Sequence, residues 1–521
     1  MLVKSAPDEI QSFLADASNM AGGHAARVFV PESAEEVVEV LARAARERTP
    51  VTVAGAGTGV VGGRVPFGGI VLSTHRLNRV LEITREDVGG RATAEAGVVL
   101  ADFQREVRAK GLLYPPDPTE SSCFLGGTVA TNASGARTFK YGPTRPYVRR
   151  LKIALATGDL LDIRRGRMFA AADGRVRVPL GGGRSIEARV PSYRMPETRK
   201  HAAGYFAAPG MDVLDLFIGS EGTLGVITEA EVSLLAQPEG VLSGVVFFKA
   251  EDDLLAFVRE ARERSLRTRA AAGADARASS QAADAAACAD TRGLDARALE
   301  FFDEESLKFL RERYPLVPLR AAGAVFFEQE TTAETEESLM GEWLGMLERH
   351  DALAEESWFG TNEYDRAEMR AFRHALPSMV NEWLARRGQR KVSTDMAVPD
   401  EAFPLMLKFY RDTLRAGRLR YVIFGHVGDN HVHVNILPHD DVEQLAAREM
   451  YARFIERAVS FGGTISAEHG VGKLKREHLR TLYGERHLRE MAELKRAFDP
   501  ACVLGRGNIF AEEFLCATGG D

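Results

Sequence analysis

Seven of the fifteen residues from Gly55 to Gly69 are glycine, and no other segment constrains the fold of this chain as strongly. It lies between two short apolar runs, Val51 to Ala54 and Ile70 to Ser73, that read as strands. A mobile surface loop would account for the glycines but not for a strand directly on each side. Gly57, Gly59 and Gly62 match G-x-G-x-x-G, with Glu82 twenty residues on, the spacing of a nicotinamide-type dinucleotide fingerprint. That fingerprint needs a helix opening at its later glycines. Here Gly63, Arg64, Val65, Pro66, Phe67 and Gly68 lead straight into the next strand, so no helix starts there. The alternative is a nest, in which successive small residues let backbone N–H groups converge on an anion such as a pyrophosphate.

The rest of the composition narrows the class. A length of 521 residues points to three or four domains, and 27% charged with 45% hydrophobic residues excludes a disordered or collagen-like chain. The net charge of −7 argues against nucleic acid as a partner. Cys123, Cys288, Cys502 and Cys516 form no CxxC, so neither a disulfide framework nor a Cys-ligated metal is expected, which fits a reducing cytoplasm. No basic-then-apolar leader opens the chain, and no apolar run approaches the ~18 residues of a membrane span.

Strand Arg27 to Val30 precedes a capping-box pair, Ser33 and Glu36, and a helix ended by Thr49 and Pro50. Two further glycine-bearing stretches, FLGGTVATNASG (124–135) and FIGSEGTLGVIT (217–228), read as loops. Strands Gly244 to Phe248 and Ala324 to Glu328 follow among charged helices. Twelve of the twenty residues from Ala270 to Ala289 are alanine, which reads as a solvated helix or a loop with no function attached.

A strand from Leu419 to Gly425 ends at His426, and the chain re-extends as HVHVNIL after a polar turn. Residues two apart share a strand face, so His431 and His433 point the same way. Convergent imidazoles are half of a zinc-type ligand set, and an acid from elsewhere completes it. Glu468 in TISAEHGVG is the candidate, against the alternative that these histidines are ordinary hydrogen-bonded residues.

The segments VTVAGAGTGVVGG, YPPDPTESSCFLGGTVATNASGARTFKYG and DLFIGSEGTLGVITEA resemble the three flavin-contacting stretches of the vanillyl-alcohol-oxidase-type FAD domain. GHVGDNHVHVN and SAEHGVG resemble one branch of that superfamily, the D-lactate dehydrogenases, glycolate oxidase flavoprotein subunits and D-2-hydroxyglutarate dehydrogenases. The similarity covers most of the chain and is weakest from about 240 to 360. It implies an α+β fold with a two-lobed PCMH-type FAD-binding domain (1–236), an α/β cap domain with an antiparallel sheet (237–415), and a C-terminal region completing the active site (416–521).

By this resemblance Gly55, Ala56, Gly57, Thr58 and Gly59 hold the FAD pyrophosphate. Pro116, Gly126, Gly127, Thr128, Ala133, Gly135 and Tyr141 line the flavin, and Gly222, Gly225 and Ile227 sit against the rest of the dinucleotide. Thr58 stands where flavinylated relatives carry a histidine, so FAD is expected without a covalent link. The resemblance also assigns His426, His433 and Glu468 to a divalent metal, Zn2+ first with Mn2+ or Fe2+ as alternatives, and makes His469 the base. Arg373, otherwise a solvated helix-face arginine, binds the substrate carboxylate, with Asn435 as a further substrate contact.

Three departures qualify the match. Relatives read GHxGDGNxH, whereas Asn430 and His431 replace the Gly and Asn here, leaving His431 either an extra ligand or a supporting group. Relatives that take a second carboxylate carry a threonine and a lysine at the places of Pro377 and Ser393, with Lys391 offset, which favours a small monocarboxylate. The tail reads Gly505, Arg506, Gly507, Asn508 instead of NPGK, so only a general return to the flavin domain is expected.

The expected reaction is oxidation of D-lactate or glycolate, with D-2-hydroxyglutarate as the alternative substrate. An unassisted alcohol is a very weak acid, and a chelated cation stabilises the alkoxide so that a neutral imidazole suffices as base. Two other classes remain: a zinc hydrolase using the same His/His/Glu set, and a flavin-bearing electron carrier without catalysis. No room is left for a fused iron–sulfur domain, so electrons pass to a separate quinone, electron-transfer flavoprotein or iron–sulfur subunit. A homodimer is compatible, and the location is cytoplasmic or peripheral at the inner face of the membrane.

Overall fold

The computed structural model describes residues 1–272 and 293–515, so most of the alanine-rich stretch, Cys288 and Cys516 lie outside the described residues. A four-stranded sheet opens the chain, in the order Leu2–Lys4, Arg27–Val30, Ile70–Ser73, Val51–Ala54. The last three strands are parallel. Helix Ala34–Glu47 makes the crossover; Ser33 Oγ accepts from the Glu36 amide at 3.3 Å, and the left-handed Arg48 closes the helix. Its buried face, Val37, Val40, Leu41 and Ala44, packs with Phe29, Val51 and Leu72. Full burial of each such Val or Leu contributes about 1.5–3 kcal/mol. Val503 and Leu504 from the far end of the chain join this core, and Val51 donates to the Val503 carbonyl at 2.8 Å.

A second, antiparallel sheet runs Val80–Arg85, Gly90–Glu95, Val226–Ala236, Val148–Ala154, Leu160–Arg164, with Leu112–Leu113 beside the long central strand. Helix Leu100–Ala109 covers it through Leu100, Phe103 and Val107. The stretch 124–135 is not a loop throughout, because Leu125–Ala130 is helical. Its glycine serves close packing: a Cβ on Gly126 would fall 2.5 Å from the Ala96 Cβ. Glycine there marks a contact between backbones and not a flexible turn.

The third sheet has seven antiparallel strands in the order Trp358–Gly360, Gly240–Phe248, Gly323–Thr331, Ala296–Asp303, Tyr421–Gly425, His433–Ile436, Val392–Ser393. Runs such as Val245 to Phe248 and Ala324 to Phe327 are apolar without alternation because both faces are covered. Val325, Phe327 and Phe301 face helices Glu251–Ala271 and Glu336–Arg349, with Phe327 stacked on Trp343 at 3.8 Å. Their neighbours Ala324, Phe326 and Phe302 face helices Glu304–Leu310 and Glu363–Ala385. Strands from either side of the expected boundary at 415 are thus hydrogen-bonded in one sheet. No helix among the described residues is long and apolar enough to cross a membrane.

Candidate active site

Two cavities meet where the lobes approach the third sheet. The first, of about 410 Å³, is the glycine cleft; the second, of about 860 Å³, holds the histidines. Val60, Val61, Thr119 and His469 line both.

Gly55, Ala56, Gly57, Thr58 and Gly59 line the cleft, as do Gly126, Gly127, Thr128, Ala133, Gly222, Gly225 and Ile227. Gly57 sits at φ +88°, and a side chain there would collide with the Arg64 guanidinium, whose Nη1 donates to the Gly55 carbonyl at 2.8 Å. The loop therefore wraps an arginine while Gly59 faces open space. Lys473 and Asn508 clamp it from outside: Lys473 Nζ donates to Asn508 Oδ1 at 2.7 Å, and Asn508 Nδ2 to the Gly63 carbonyl at 2.9 Å. Such a cradle of small residues and backbone suits a dinucleotide.

Three expected flavin contacts do not line the cleft. The Pro116 carbonyl accepts from Gln104 at 3.1 Å. The Gly135 carbonyl accepts from Lys200 Nζ at 2.8 Å. The Tyr141 ring is buried in the core beside the second sheet, and its hydroxyl donates to Glu330.

In the second cavity His426, His433, Asn435, Arg373 and His469 come together, although they span residues 373 to 469. Glu468 lines the adjoining cleft and faces the histidines. His426 Nε2 lies 3.2 Å from Glu468 Oε1, and His433 Nε2 lies 3.8 Å from Oε2. On the opposite edge of each ring, His426 Nδ1 is 2.6 Å from Glu300 Oε1 and His433 Nδ1 is 3.0 Å from the Thr394 carbonyl. His431 is fully buried, with Nε2 3.1 Å from Asp395 Oδ1 and Nδ1 4.0 Å from Glu468 Oε1. Among the described residues, His426, His431, His433 and Glu468 each offer a donor atom within 4.8 Å of the others.

Fixed charges hold this arrangement. Burial opposes the Glu468 carboxylate, but His426 and Lys200 outweigh it and keep its pKa well below the usual range. Burial likewise opposes a charged His426, yet Glu300 and then Glu468 lift its pKa to about 9. Burial, reinforced by His431, holds His433 well below an ordinary imidazole. Asp395 accepts from Lys475 Nζ at 2.5 Å, from Ser466 Oγ at 2.7 Å and from the His469 amide at 3.2 Å. The same carboxylate lies 3.2 Å from His469 Nδ1. Arg373 Nε donates to Glu300 Oε2 at 3.0 Å, and Arg373 Nη1 lies 3.2 Å from His374 Nε2. Arg373 is therefore no solvated helix-face residue.

Sequence reasoning missed Glu300, Asp395, Lys200 and Glu221. Glu300 carried a signal, an acid in the middle of the fully buried strand Ala296–Asp303. Lys200 is fully buried in an irregular segment, where its Nζ donates to Glu468 Oε1 at 2.6 Å, and no local pattern announces it. Glu221 accepts from the Val471 and Gly472 amides at 2.7 Å each, tying the 217–228 stretch to the loop that carries Glu468.

Residues 25–164 match the FAD binding domain family, and residues 265–509 match the family described as FAD linked oxidases, C-terminal domain. The chain is 30% identical over 503 residues to glycolate oxidase subunit GlcD of Bacillus subtilis, covering 93% of this chain and 89% of that one. It is 28% identical to a D-lactate dehydrogenase of Anaerostipes hadrus, over 92% of this chain and 88% of that protein. Against a D-2-hydroxyglutarate dehydrogenase of Xanthomonas citri pv. viticola it is 28% identical, over 98% and 94%. The solved structure of an alkyldihydroxyacetonephosphate synthase shares the fold, with TM-score 0.65 and 15% identity over 96% of this chain and 82% of its own. With two FAD-oxidase family matches in order along the chain and nearly its whole length aligned at 30% identity to one relative, the chain belongs to the FAD-linked oxidases, as an FAD-dependent oxidoreductase of the group that includes glycolate oxidase GlcD, D-lactate dehydrogenase and D-2-hydroxyglutarate dehydrogenase.

Proposed function

We propose that this protein oxidises a small D-2-hydroxy acid, D-lactate or glycolate, to the 2-oxo acid and passes the electrons to a separate acceptor. The position of His469 carries the reading, because its ring lines both the glycine cleft and the histidine cavity. A proton acceptor at that seam stands where a substrate can meet both. FAD, held without a covalent link, supplies the hydride acceptor.

Asp395 faces His469 Nδ1, which keeps a proton there and leaves Nε2 to take the hydroxyl proton. His426, His433 and Glu468 fit a divalent cation: the outer nitrogen of each ring has its own acceptor, and the inner nitrogens face the carboxylate. When bound there, a cation would lower the pKa of a substrate hydroxyl that chelates it together with the adjacent carboxylate. Arg373, anchored through Nε by Glu300, presents the rest of its planar fork to that carboxylate. Asn435 is buried with both amide atoms unpaired, so it offers a donor and an acceptor to the substrate. On this reading residues 1–236 bind the flavin, 237–415 cap it, and 416–521 deliver ligands and base.

Pro377 and Ser393 in the cavity wall favour a monocarboxylate. Lys391, half-buried in the same wall with its pKa lowered by burial, supports D-2-hydroxyglutarate as the second reading. The deciding experiment is an anaerobic titration of purified protein with D-lactate, glycolate and D-2-hydroxyglutarate, before and after chelation. The expected result is bleaching of the visible flavin band by one of the monocarboxylates, lost on metal removal. Bleaching by none of the three overturns the reading, and a colourless protein returns it to a metal hydrolase. Bleaching undiminished after chelation removes only the metal's part. Acid precipitation is expected to release the FAD into the supernatant.

A further inference from the structure

The geometry points to His431 as a fourth protein ligand, making a site of three imidazoles and one carboxylate. This rests on the metal reading above and concerns the residue by which this chain departs from the family pattern. The three rings share one arrangement. Each has one nitrogen facing an outer oxygen: Glu300 at 2.6 Å for His426, Thr394 carbonyl at 3.0 Å for His433, Asp395 at 3.1 Å for His431. Each turns its other nitrogen to Glu468, at 3.2, 3.8 and 4.0 Å. An outer acceptor that fixes the ring and leaves the second nitrogen inward is what metal-bound histidine requires.

Both His431 ring nitrogens are buried without an aligned hydrogen bond: Nε2 lies close to Asp395, and Nδ1 turns toward Glu468 with nothing to satisfy it. Spacing agrees. Bonds of about 2.1 Å put adjacent donors about 3 Å apart and opposite donors about 4.2 Å apart, and the four donor atoms here lie within 4.8 Å of one another.

The turn that delivers His431 is fixed as well. Asn430 takes φ +53°, a region that asparagine tolerates better than most residues. Its side chain accepts from Arg262 Nη1 at 2.7 Å and donates to Asp400 Oδ1 at 2.7 Å. The paired replacement of Gly and Asn by Asn430 and His431 therefore keeps the turn, adds an anchor and supplies an imidazole.

The consequence concerns metal choice. Four protein donors close a tetrahedral zinc sphere, whereas an octahedral ion keeps two adjacent positions for the hydroxyl and carboxylate of a 2-hydroxy acid. A site with four protein donors would therefore leave room for substrate on Mn2+ or Fe2+ more readily than on Zn2+.

The test uses the FAD-loaded full chain, stripped of metal and reloaded with Mn2+. Pulsed EPR counts coordinated imidazole nitrogens, and the free Mn2+ signal gives affinity. Three nitrogens are expected in the wild type and two in His431→Asn, with affinity at least tenfold weaker. Two nitrogens in the wild type overturn the inference and leave the His426, His433, Glu468 site standing. Absence of bound Mn2+ and Zn2+ in the wild type overturns both. The wild-type count decides the matter even where the variant does not fold.

Discussion

The glycine cleft offers a ligand backbone and small side chains, whereas the adjoining histidine cavity offers charges. In the cleft, shape is set by residues whose missing side chains allow approach, such as Gly126 against Ala96. In the cavity, charged groups hold one another: Arg373 and His426 share Glu300, and Lys475 and His469 share Asp395. Burial opposes the Glu300 carboxylate, yet His426 and Arg373 bring its pKa down to about 2. A large dinucleotide can be recognised by a contour spread over many weak contacts. A substrate of a few heavy atoms cannot, and its site must concentrate a few fixed charges.

That contrast sets the order of expected effects. On the proposed reading His469→Ala removes the base at the rim of the cleft and leaves the glycine loops intact, so FAD stays bound while turnover falls by roughly 10²- to 10⁴-fold, measured by stopped-flow flavin reduction. An unchanged reduction rate would sever the two cavities functionally. Arg373→Lys keeps the charge but loses the fork and the Nε bond to Glu300. Its kcat/KM should fall by about 10- to 100-fold, mainly through KM, the effect of one charged hydrogen bond.

On the other side, Gly126→Val should lower stability by about 1–3 kcal/mol and loosen FAD, read from thermal melts and flavin retention on gel filtration. A variant that keeps full flavin occupancy would show that contour matters less than the cleft's geometry implies. The smallest effect tests Glu221, the acid in the cleft that burial displaces upward. Burial raises the Glu221 pKa from 4.5 to about 6, so the native state binds this proton more tightly than the unfolded chain. Stability from this group is full below pH ~4.5 and is lost as pH rises through ~6, by at most about 2 kcal/mol. Glu221→Gln should flatten that slope in pH-dependent melts, whatever it does to the absolute melting temperature.

Local signals were legible in the sequence, and long-range ones were not. The cap at Ser33, the crossover helix and the glycine loop depend on neighbours within a few residues. The convergence of His426, His433 and Glu468 was legible through strand alternation and motif resemblance together. Helix Leu125–Ala130 was hidden because its glycine reflects a contact with Ala96, thirty residues away. Glu300 reaches His426 only because Phe301 pairs with Gly425 across the third sheet. Asp395 reaches His469 because Ala397 bridges both His431 and Thr464. Such registers are set by the whole sheet, and no window of sequence contains them.

The pairing of Val51 with the Val503–Gly505 segment bears on how the protein is made. The cradle's edge strand leaves the ribosome long before the residues that cover it and before Asn508, which clamps its loop. Until those residues emerge, the nascent chain carries an uncovered strand edge beside an unfinished nest, a surface prone to mispairing. The two sides of the cradle's edge can therefore meet only after residues 503–508 have been made.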